Sequence, residues 1–462
     1  MSSRSEPVGG SESYGDTPAR FEPHAAMTDF ESRVADWLPI GEALKRILSA
    51  AVPLATEVVP LDESLGRVLA TNVVAPTGVP PWNSSAMDGY AVRAEDITGA
   101  SSHNHVELLV GGAVLAATRF EGQVAAGQAV RIMTGGAVPD GADTVVRVED
   151  TDREDGQPGV IVINNARDSG RHVRPAAEDW NQGDTVVAAG TSIGPGQIAV
   201  LASAHAAEVS VHQRPVVAII ASGDELHDID SGPPPPHRIP ESNSRVVAAA
   251  VRLAGGVPVR LGIAKDDASD IHAHLEKAKD ADFVITLGGA SMGEGDLFKR
   301  VLDDTSFRLA FWRVKLRPGT PTSFGHLPRK DRPDLAVFGL PGNPASAFVT
   351  FEVLVRPFLR AVAGHTRVHR QVISVRAAED LRSAKGITGF LRVALTRTDG
   401  VAQATLSGPQ GSGLVNSLGA ADGLAMIPEG VDLIRLGDEV DVILLDSPSG
   451  LSAHASDFGQ AR

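Results

Sequence analysis

The fold is decided by a segment near the middle of the chain, PVVAIIASGDEL (residues 215–226). Its first eight residues are almost all apolar and rich in β-branched side chains, which predicts a strand buried on both faces. Gly223 then supplies a turn, and Asp224 and Glu225 follow where the strand ends. The segment therefore predicts a buried strand whose carboxyl end presents two carboxylates. These carboxylates could bind a metal or act as a general base. Alternatively, they could be charge partners of a helix N-terminus or belong to a solvated turn.

Strands and helices alternate on the carboxyl side of this segment. Helical spacing of apolar residues occurs in SNSRVVAAAVRLAG (242–255), which has a Ser or Asn cap and a Gly stop, and again in DASDIHAHLEKAK (267–279). Strands are predicted by VPVRLGIA (257–264) and ADFVITLGG (281–289). The alternation predicts a mostly parallel α/β sheet covered by helices over residues 214–363. Ligands of such sheets bind at the carboxyl ends of the strands.

Small β structures are expected on both sides of the α/β segment. A helix is predicted over residues 40–51 by its apolar stripe. Residues 53–211 contain β-branched runs such as AVRIM, DTVVRVED and GVIVIN, separated by Gly, Pro and Asp turns, and a similar pattern returns over 365–445. Residues 1–34 and 447–462 are rich in small polar residues and are predicted to be disordered tails. The sequence thus predicts a multidomain α/β plus β protein.

The composition excludes several classes of protein. The chain has no cysteine, so disulfides, thiolate metal ligands and a thiolate nucleophile are excluded. Its net charge of −15 argues against nucleic acid or an anionic membrane as the main partner. No apolar run is long enough to predict a membrane helix, and the N-terminus lacks the apolar core of a signal peptide. We therefore expect a cytoplasmic protein with small-molecule ligands and no membrane insertion.

A glycine-rich loop follows the third predicted strand, in TLGGASMGEGD (286–296). Gly288 and Gly289 allow backbone N–H groups to turn toward an anion, and Ser291 adds a hydroxyl donor. Asp296 ends the loop at the start of the next helix. The composition suits a loop that binds phosphate, and it suits an ordinary glycine-rich connection equally well.

A second turn with the character of an anion site is GLPGNPASAF (339–348). Asn343 can cap the following helix, while Pro344 takes the first helical position, where no N–H is needed. The exposed N-terminus of such a helix attracts anions. The alternative is a well-capped helix that binds nothing.

Three cations follow one another at alternate positions in FWRVKLRPGTP (311–321). In a strand, Arg313, Lys315 and Arg317 would lie on one face. Such a face could hold a tetrahedral oxyanion. The alternative is a charged edge strand.

Two motifs in the first β region place polar groups beside turns. PPWNSSAMDGYAVR (80–93) joins a rigid Pro-Pro turn to small polar residues, among them Ser84, and to Asp88. RIMTGGAVPDGAD (131–143) puts Thr134 in a turn flanked by glycines. The hydroxyl of this threonine could face a ligand or could simply close the turn.

Together these segments resemble the molybdopterin molybdenumtransferase family, which includes MoeA and the E-domain of gephyrin. NSSAMDGYAVR, RIMTGGAVP, ASGDEL, GGASMGEGD and LPGNPASA occur in the order of that family and with roughly its spacing. Each motif alone is weak, whereas the set is highly specific and spans residues 37–445. The domains that the resemblance implies are an elongated helical and β domain (35–75 and 170–213), a small β domain (76–169), a molybdopterin-binding α/β domain (214–363) and a C-terminal β domain (364–446).

The resemblance also implies an activity. Members of the family insert molybdenum from molybdate into adenylylated molybdopterin and release AMP, with the help of a divalent metal, usually Mg2+. They are homodimers whose active sites form between subunits. From the motifs and the resemblance together we expect catalytic roles for Thr134, Asp179, Glu225, Asp266 and Asp296, metal binding by Glu225 and Asp296, and binding of the cofactor precursor or molybdate by Ser84, Asp88, Gly288, Gly289, Ser291, Arg313, Arg317, Pro341, Asn343, Pro344 and Ser412.

The chain departs from the family pattern at several positions. Asn83 stands where the family usually has Asp, and Ala177 stands where it usually has Gly. Arg313 and Arg317 replace two lysines, and Thr320 replaces a third. Arginine keeps the charge but holds oxyanions in a different geometry, whereas threonine removes a charge. A second interpretation is therefore a catalytically weakened paralogue that acts as a scaffold of the gephyrin type, with protein partners bound through its tails.

Overall fold

The structure, a computed structural model, describes residues 37–115, 117–288, 306–330 and 332–445. The described chain divides into two compact units. The second unit comprises Val52–Pro215 and Arg360–Val368, and the first unit comprises the other described residues. The tails predicted at both ends lie outside the described residues. Within the described ranges, no helix is long and apolar enough to cross a membrane.

The helices of the described chain are short. The α-helices are α1 (Ile40–Ser49), α2 (Pro195–Ser203), α3 (Asn243–Leu253), α4 (Ala268–Ala278), α5 (Pro344–Thr350), α6 (Arg356–Val362) and α7 (Asn416–Gly419), with a π-helical turn at Phe351–Val355 and 3-10 turns at Leu61–Glu63, Ala94–Ile97, Val148–Asp150 and Ile229–Ser231. In α1 the apolar stripe buries Ala43 and Ile47, as expected for an amphipathic helix. Asp267 caps α4 by accepting hydrogen bonds from the backbone N–H groups of Ser269 and Asp270.

The second unit consists mainly of short strands. They are β1 (Thr56–Pro60), β2 (Val73–Val74), β3 (Ser84–Ser85), β4 (Gly89–Val92), β5 (Val106–Val114), β6 (Gln128–Ile132), β7 (Thr144–Arg147), β8 (Val160–Ile163), β9 (Val173–Arg174), β10 (Thr185–Val187) and β11 (Glu208–His212). The order β7-β4-β6-β5-β8 forms a five-stranded sheet, and β1-β11, β2-β10 and β3-β9 form two-stranded pairs. The strands predicted from AVRIM, DTVVRVED and GVIVIN are β6, β7 and β8. Their inward-facing valines and isoleucines fill the core of this sheet.

The first unit contains two larger sheets. Its strands are β12 (Val216–Ser222), β13 (Leu226–His227), β14 (Ile239–Pro240), β15 (Val257–Ala264), β16 (Phe283–Leu287), β17 (Arg308–Trp312), β18 (Leu316–Arg317), β19 (Ser323–Leu327), β20 (Leu335–Leu340), β21 (Val372–Ala377), β22 (Leu381–Arg382), β23 (Thr388–Thr398), β24 (Val401–Leu406), β25 (Gly423–Ile427), β26 (Leu433–Ile434) and β27 (Glu439–Leu444). One six-stranded sheet has the order β15-β12-β16-β20-β19-β17. Its first four strands are parallel, β19 is antiparallel to β20, and β17 is antiparallel to β19.

The strands of this sheet form where the apolar runs predict them. PVVAIIAS is β12, VPVRLGIA is β15, and ADFVITLGG contains β16. Ile219 and Ile220 of β12 are fully buried, because β12 lies between two other strands and is covered by helices. Ile271 and Leu275 of α4 pack in the same hydrophobic cluster as Ile220. The parallel strands therefore end at a common edge, where the loops that follow them meet.

The second large sheet closes into a small barrel. The order β23-β24-β21-β27-β25 returns to β23, because β25 also pairs with β23, and β18 adds to the outer side of β23. Alternate apolar residues such as Val393, Leu395 and Val442 fill its interior. The expectation of a strand-rich multidomain fold is confirmed.

Candidate active site

The loops after the parallel strands line a cavity of about 590 Å3, here called the carboxylate cavity. The segment after β12 contributes Glu225, the segment after β15 contributes Asp266, and Gly288 follows β16. Pro341 and Asn343 come from the turn after β20. Because the carboxyl ends of parallel strands meet at one edge, residues far apart in sequence become neighbours here.

Three carboxylates lie close together at this cavity. The backbone N–H of Asp266 donates to a side-chain oxygen of Asp224 over 3.4 Å. Desolvation raises the pKa of the Asp266 carboxyl, and the negative charges of Asp224 and Glu225 also raise it. A divalent cation would relieve this repulsion, and carboxylate oxygens are ligands that Mg2+ prefers. No group of three His, Asp or Glu side chains within the described ranges is arranged to hold a metal ion.

Two glycines are required at the rim of the carboxylate cavity. Gly223 has a φ of +143°, and a Cβ there would lie 2.5 Å from a carboxylate oxygen of Glu225. Gly288 has a φ of +95°, and a Cβ there would lie 2.5 Å from the carbonyl oxygen of Ser222. Side chains at these positions would displace Glu225 or push the ends of β12 and β16 apart.

A second cavity of about 840 Å3, here called the arginine cavity, adjoins the first. The two cavities share Pro321, Pro341 and Asn343 as lining residues. The polar side chains that line the arginine cavity include Arg317, Thr320, Arg382, Ser383, Arg392, Gln410 and Ser412. A cavity lined by carboxylates therefore lies next to one lined by cations.

Arg392 of β23 is the most unusual residue of the arginine cavity. It is fully buried, and its Nε donates to the Ser417 hydroxyl over 2.8 Å while Nη2 donates to the carbonyl oxygens of Pro409 and Gly411. Nη1 has no hydrogen-bond partner within the described chain. Burial lowers the pKa of the Arg392 guanidinium, and no carboxylate of the described residues offsets this effect. A buried cation held by neutral acceptors, with one N–H group unsatisfied, is suited to binding an anion.

The cationic segment differs from its prediction. Arg313 has a φ of 73°, so β17 ends at Trp312 and the following residues form no continuous strand. The Arg313 side chain is buried, and its guanidinium carbon lies 5.4 Å from the ring centroid of Trp37 and 5.5 Å from that of Trp312. The prediction that Arg313, Lys315 and Arg317 lie on one strand face is wrong, because the backbone turns at Arg313. Its role in oxyanion binding stays a prediction.

The two other cations of the segment have different surroundings. The Lys315 ammonium lies 2.8 Å from a carboxylate oxygen of Glu429. Arg317 is exposed at the end of β18 and lines the arginine cavity. Of the three predicted cations, Arg317 is the one that the structure brings to this cavity.

The turn after β20 also differs in detail from its prediction. Pro344 occupies the first position of α5, as expected, but the Asn343 side chain does not cap the helix. Its amide donates instead to the hydroxyl of Ser412 over 3.1 Å. The backbone N–H of Ala345 donates to the carbonyl oxygen of Ser412 over 3.0 Å. The predicted capping by Asn343 is therefore wrong, because the loop at Ser412 satisfies this helix end.

A third cavity of about 810 Å3, here called the tryptophan cavity, lies in the second unit and is lined by Trp82, Asp88 and Thr134, among others. The backbone N–H and the hydroxyl of Thr134 both donate to Oδ1 of Asp88 over 2.7 Å. The backbone hydrogen bond, followed by the hydroxyl hydrogen bond, lowers the pKa of the Asp88 carboxyl. The sequence leaves two alternatives for the Thr134 hydroxyl, which are contact with a ligand and closure of the turn. In the structure the hydroxyl closes the turn by donating to Asp88, and it thereby holds an ionised carboxylate at the cavity.

Other predicted site residues of the second unit lie elsewhere. Asp179 is exposed, and its backbone N–H donates to the carbonyl oxygen of Val79 over 2.9 Å. Ser84 is buried in β3, which pairs with β9. Neither residue lines any of the three cavities. Asn83, which replaces the usual acid of the family, accepts a hydrogen bond from the backbone N–H of Ala176 over 2.9 Å.

Most of the predicted glycine-rich loop lies outside the described residues. Gly289, Ser291 and Asp296 lie outside the described residues, so their predicted roles stay predictions. Gly288, the first residue of that loop, reaches the carboxylate cavity. Arg392 is a candidate that the sequence does not reveal, because a single arginine within the apolar run GFLRVAL (389–395) resembles an outward-facing charge on a half-buried strand.

Comparison with known families gives the class of the α/β segment and of its flanking regions. Residues 218–361 match the family described as "Probable molybdopterin binding domain". Residues 38–204 match the MoeA N-terminal region (domain I and II), and residues 374–445 match the MoeA C-terminal region (domain IV). The α/β sheet and the barrel thus coincide with a molybdopterin-binding domain and a MoeA C-terminal domain.

Similar proteins extend this result to most of the chain. The chain is 34% identical over 419 residues to the molybdopterin molybdenumtransferase of Staphylococcus aureus (strain COL), covering 89% of this chain and 96% of the relative. It is 33% identical over 415 residues to the enzyme of the same name from Bacillus subtilis (strain 168), covering 89% and 95%. The crystal structure of the molybdopterin biosynthesis moeA protein from Pyrococcus horikoshii OT3 is similar with a TM-score of 0.74 and 30% identity, covering 88% of this chain and all of that one. The chain belongs to the molybdopterin molybdenumtransferase family, the transferases of molybdenum cofactor biosynthesis.

Proposed function

We propose that this chain inserts molybdenum from molybdate into adenylylated molybdopterin and releases AMP. The observation that supports this function most directly is the pair of adjoining cavities in the first unit, one lined by carboxylates and one by arginines. The reaction needs a site for a phosphate-bound cation beside a site for a tetrahedral dianion. The shared wall at Pro321, Pro341 and Asn343 gives both sites one boundary, so the two reactants can meet there.

The carboxylate cavity is proposed to bind the pyrophosphate end of the substrate. Glu225 would hold Mg2+, and Asp296, which lies outside the described residues, is kept as a second ligand on the family resemblance alone. Asp266 is proposed to act in catalysis beside them. When bound, Mg2+ supplies positive charge that offsets the charge developing on the phosphate oxygens. Gly223 and Gly288 allow this arrangement, because the Glu225 carboxylate and the Ser222 carbonyl oxygen lie where side chains at these positions would be.

The arginine cavity is proposed to bind molybdate as substrate. Nη1 of Arg392 offers an N–H group with no partner in the described chain, and Arg317 adds a second cation. The hydroxyl of Ser412 accepts from Asn343, so its own proton is available to an oxyanion. These donors replace part of the hydration shell that molybdate loses, and the burial of Arg392 strengthens the attraction by lowering the local dielectric constant.

The remaining predictions belong to this proposal. Thr134 acts by holding Asp88 ionised, and Asp179 is kept as a catalytic candidate on the family resemblance alone. We also propose a homodimer, with the four domains at the boundaries predicted from the sequence. The scaffold interpretation is favoured by one observation, because the Thr320 hydroxyl donates to the carbonyl oxygen of Leu316 over 2.8 Å and brings no charge to the cavity.

Complementation of a bacterial strain that lacks its own insertion enzyme tests the proposal. We expect the chain to restore the activity of a molybdoenzyme in that strain. A Glu225→Ala, Asp266→Ala double variant is the matched control and should not restore it. A well-expressed, folded wild-type chain that restores nothing, even with added molybdate, would contradict the proposal and favour the scaffold interpretation.

A further inference from the structure

The turn after β20 (residues 341–343), here called the shared turn, lies between the carboxylate cavity and the arginine cavity. Its first and last residues line both cavities, and Gly342 lines the carboxylate cavity. On the side of the arginine cavity, the Asn343 amide donates to the Ser412 hydroxyl over 3.1 Å, and the backbone N–H of Ala345 donates to the carbonyl oxygen of Ser412 over 3.0 Å. A displacement of the shared turn would therefore displace Ser412, which is proposed to donate to molybdate.

Asn243 contacts the shared turn from the opposite side. It is the first residue of α3, it lines the carboxylate cavity, and its amide nitrogen donates to the carbonyl oxygen of Gly342 over 2.6 Å. A carbonyl oxygen accepts only from a donor, so this contact fixes which end of the amide faces the turn. Oδ1 of Asn243 is buried and has no hydrogen-bond partner among the residues that the structure describes. The side chain thus keeps its contact with the turn although its own acceptor is unsatisfied, which costs stability.

Helix α3 is a firm support for this contact. Val247 and Val251, on its inner face, are fully buried. At the start of the helix the buried carboxylate of Glu241 accepts a hydrogen bond from the backbone N–H of Ser244 over 2.7 Å. Because the helix is packed and its start is hydrogen-bonded, Asn243 can restrict the movement of Gly342 rather than follow it.

We propose that Asn243 is a positioning residue for oxyanion binding: from the carboxylate cavity it holds the shared turn, so that Asn343 keeps the Ser412 hydroxyl in place for molybdate. This inference rests on the proposed function, because that function assigns molybdate to the arginine cavity. The contacts form one continuous series, from Asn243 through Gly342 and Asn343 to Ser412. Asn243 is not among the residues that line the arginine cavity, so it sets the affinity of that cavity without touching the oxyanion.

The test is equilibrium dialysis of the intact chain with molybdate. Asn243→Ala should weaken molybdate binding about threefold to tenfold, because one hydrogen bond that holds the shared turn is lost. Asn243→Ser ends one atom short of the amide nitrogen and should have a similar effect, which keeps the test valid if the alanine variant does not fold. The matched control is Leu253→Ala, which removes a side chain that is 75% exposed at the end of the same helix and should leave binding unchanged.

A double-mutant cycle separates positioning from a general structural role. If Asn243 acts through Ser412, Asn243→Ala should change molybdate affinity less than about twofold in a chain that already carries Ser412→Ala. An undiminished effect of Asn243→Ala in that chain overturns the proposal. A folded Asn243→Ala variant with wild-type molybdate affinity overturns it as well, whatever its melting temperature.

Release of AMP from adenylylated molybdopterin by the wild-type chain distinguishes this proposal from the proposed function. If AMP release depends on molybdate while Asn243→Ala leaves molybdate affinity unchanged, only the positioning role is wrong. If Asn243→Ala weakens molybdate binding as expected but the wild-type chain releases no AMP, only the proposed function is wrong. A wild-type chain that binds no molybdate overturns the positioning role, and AMP release then decides the proposed function.

Discussion

Replacing Arg392 by methionine tests the proposed molybdate site most sharply. Methionine keeps an unbranched side chain in the barrel and removes the charge. The change leaves three acceptors, on Ser417, Pro409 and Gly411, without the donors that Arg392 supplies. Each unsatisfied acceptor costs about 1–3 kcal/mol, whereas removal of an unpaired buried charge returns several kcal/mol. The two effects oppose each other, so the free energy of unfolding should change by only about 2 kcal/mol.

The effect on molybdate binding should be larger than the effect on folding. A charge-assisted hydrogen bond contributes about 1.5–3 kcal/mol, so Arg392→Met should weaken molybdate binding by about tenfold to a hundredfold. Equilibrium dialysis with measurement of bound molybdenum gives the dissociation constants. Molybdate at about one hundred times its wild-type dissociation constant should stabilise the wild-type chain by about 2.7 kcal/mol. The same concentration should stabilise a variant with hundredfold weaker binding by only about 0.4 kcal/mol.

The control for this experiment is Arg397→Met, which removes an exposed arginine from the same strand and should leave molybdate binding unchanged. Molybdate affinity equal to that of the wild type in a folded Arg392→Met variant would refute the assignment of Arg392 to the oxyanion.

Four further substitutions test the arginine cavity and two carboxylates elsewhere in the molecule. In the same dialysis, Arg317→Ala should weaken molybdate binding about tenfold, because it removes a positive charge from the arginine cavity. Thr320→Lys should strengthen binding, because it adds a positive charge there. Affinities equal to that of the wild type would show that these residues are not part of the site. Asp266→Asn should raise the melting temperature at pH 7 but not below pH 3.8, because desolvation and neighbouring charges raise the pKa of Asp266 and penalise its ionised form; a lower melting temperature at pH 7 would contradict this. Burial opposes ionisation of Asp168, but hydrogen bonds from Arg147 and then His172 outweigh it and hold the pKa of Asp168 at about 2. Asp168→Asn should therefore lower the free energy of unfolding by about 2 kcal/mol at pH 7. That loss should disappear as the pH falls from 3.8 through about 2, and equal stability of the two chains at pH 7 would show that the network contributes nothing.

Local sequence patterns predict most elements of the α/β sheet. The run VPVRLGIA coincides with β15, and the cap at Asp267 marks the start of α4. These elements follow from interactions within a few residues, such as apolar periodicity and side-chain capping. The convergence of Glu225 and Asp266 also follows from the sequence, because parallel strands place their carboxyl ends at one edge.

Long-range contacts explain why the cationic segment was predicted incorrectly. Alternate cations in 313–317 predict a strand face, but the backbone N–H of Arg313 donates to Thr322 and its carbonyl oxygen accepts from Leu38. These two hydrogen bonds fix the turn at Arg313 through Thr322, which lies on the returning part of the chain, and through Leu38, which is distant in sequence. Spacing within a single segment carries no information about such partners.

The burial of Arg392 has a similar origin. Arg392 stands alone within the apolar run GFLRVAL (389–395), a pattern that also suits a strand with one outward-facing charge. Closure of the barrel through β25 and the carbonyl groups of Pro409 and Gly411 instead enclose it. Arg392, the strongest candidate for the oxyanion site, could therefore not be predicted from the sequence. Ser412, which lines the same cavity, was predicted.

The measurement that tests the central claim most directly is release of AMP from adenylylated molybdopterin by the purified chain, with Mg2+ and with increasing molybdate. AMP is quantified by chromatography, and the product is assayed by its ability to activate a molybdoenzyme that lacks its cofactor. The account predicts that AMP release rises with molybdate and saturates, with one AMP released for each molybdenum transferred. Tight binding of adenylylated molybdopterin without AMP release at any molybdate concentration would contradict it.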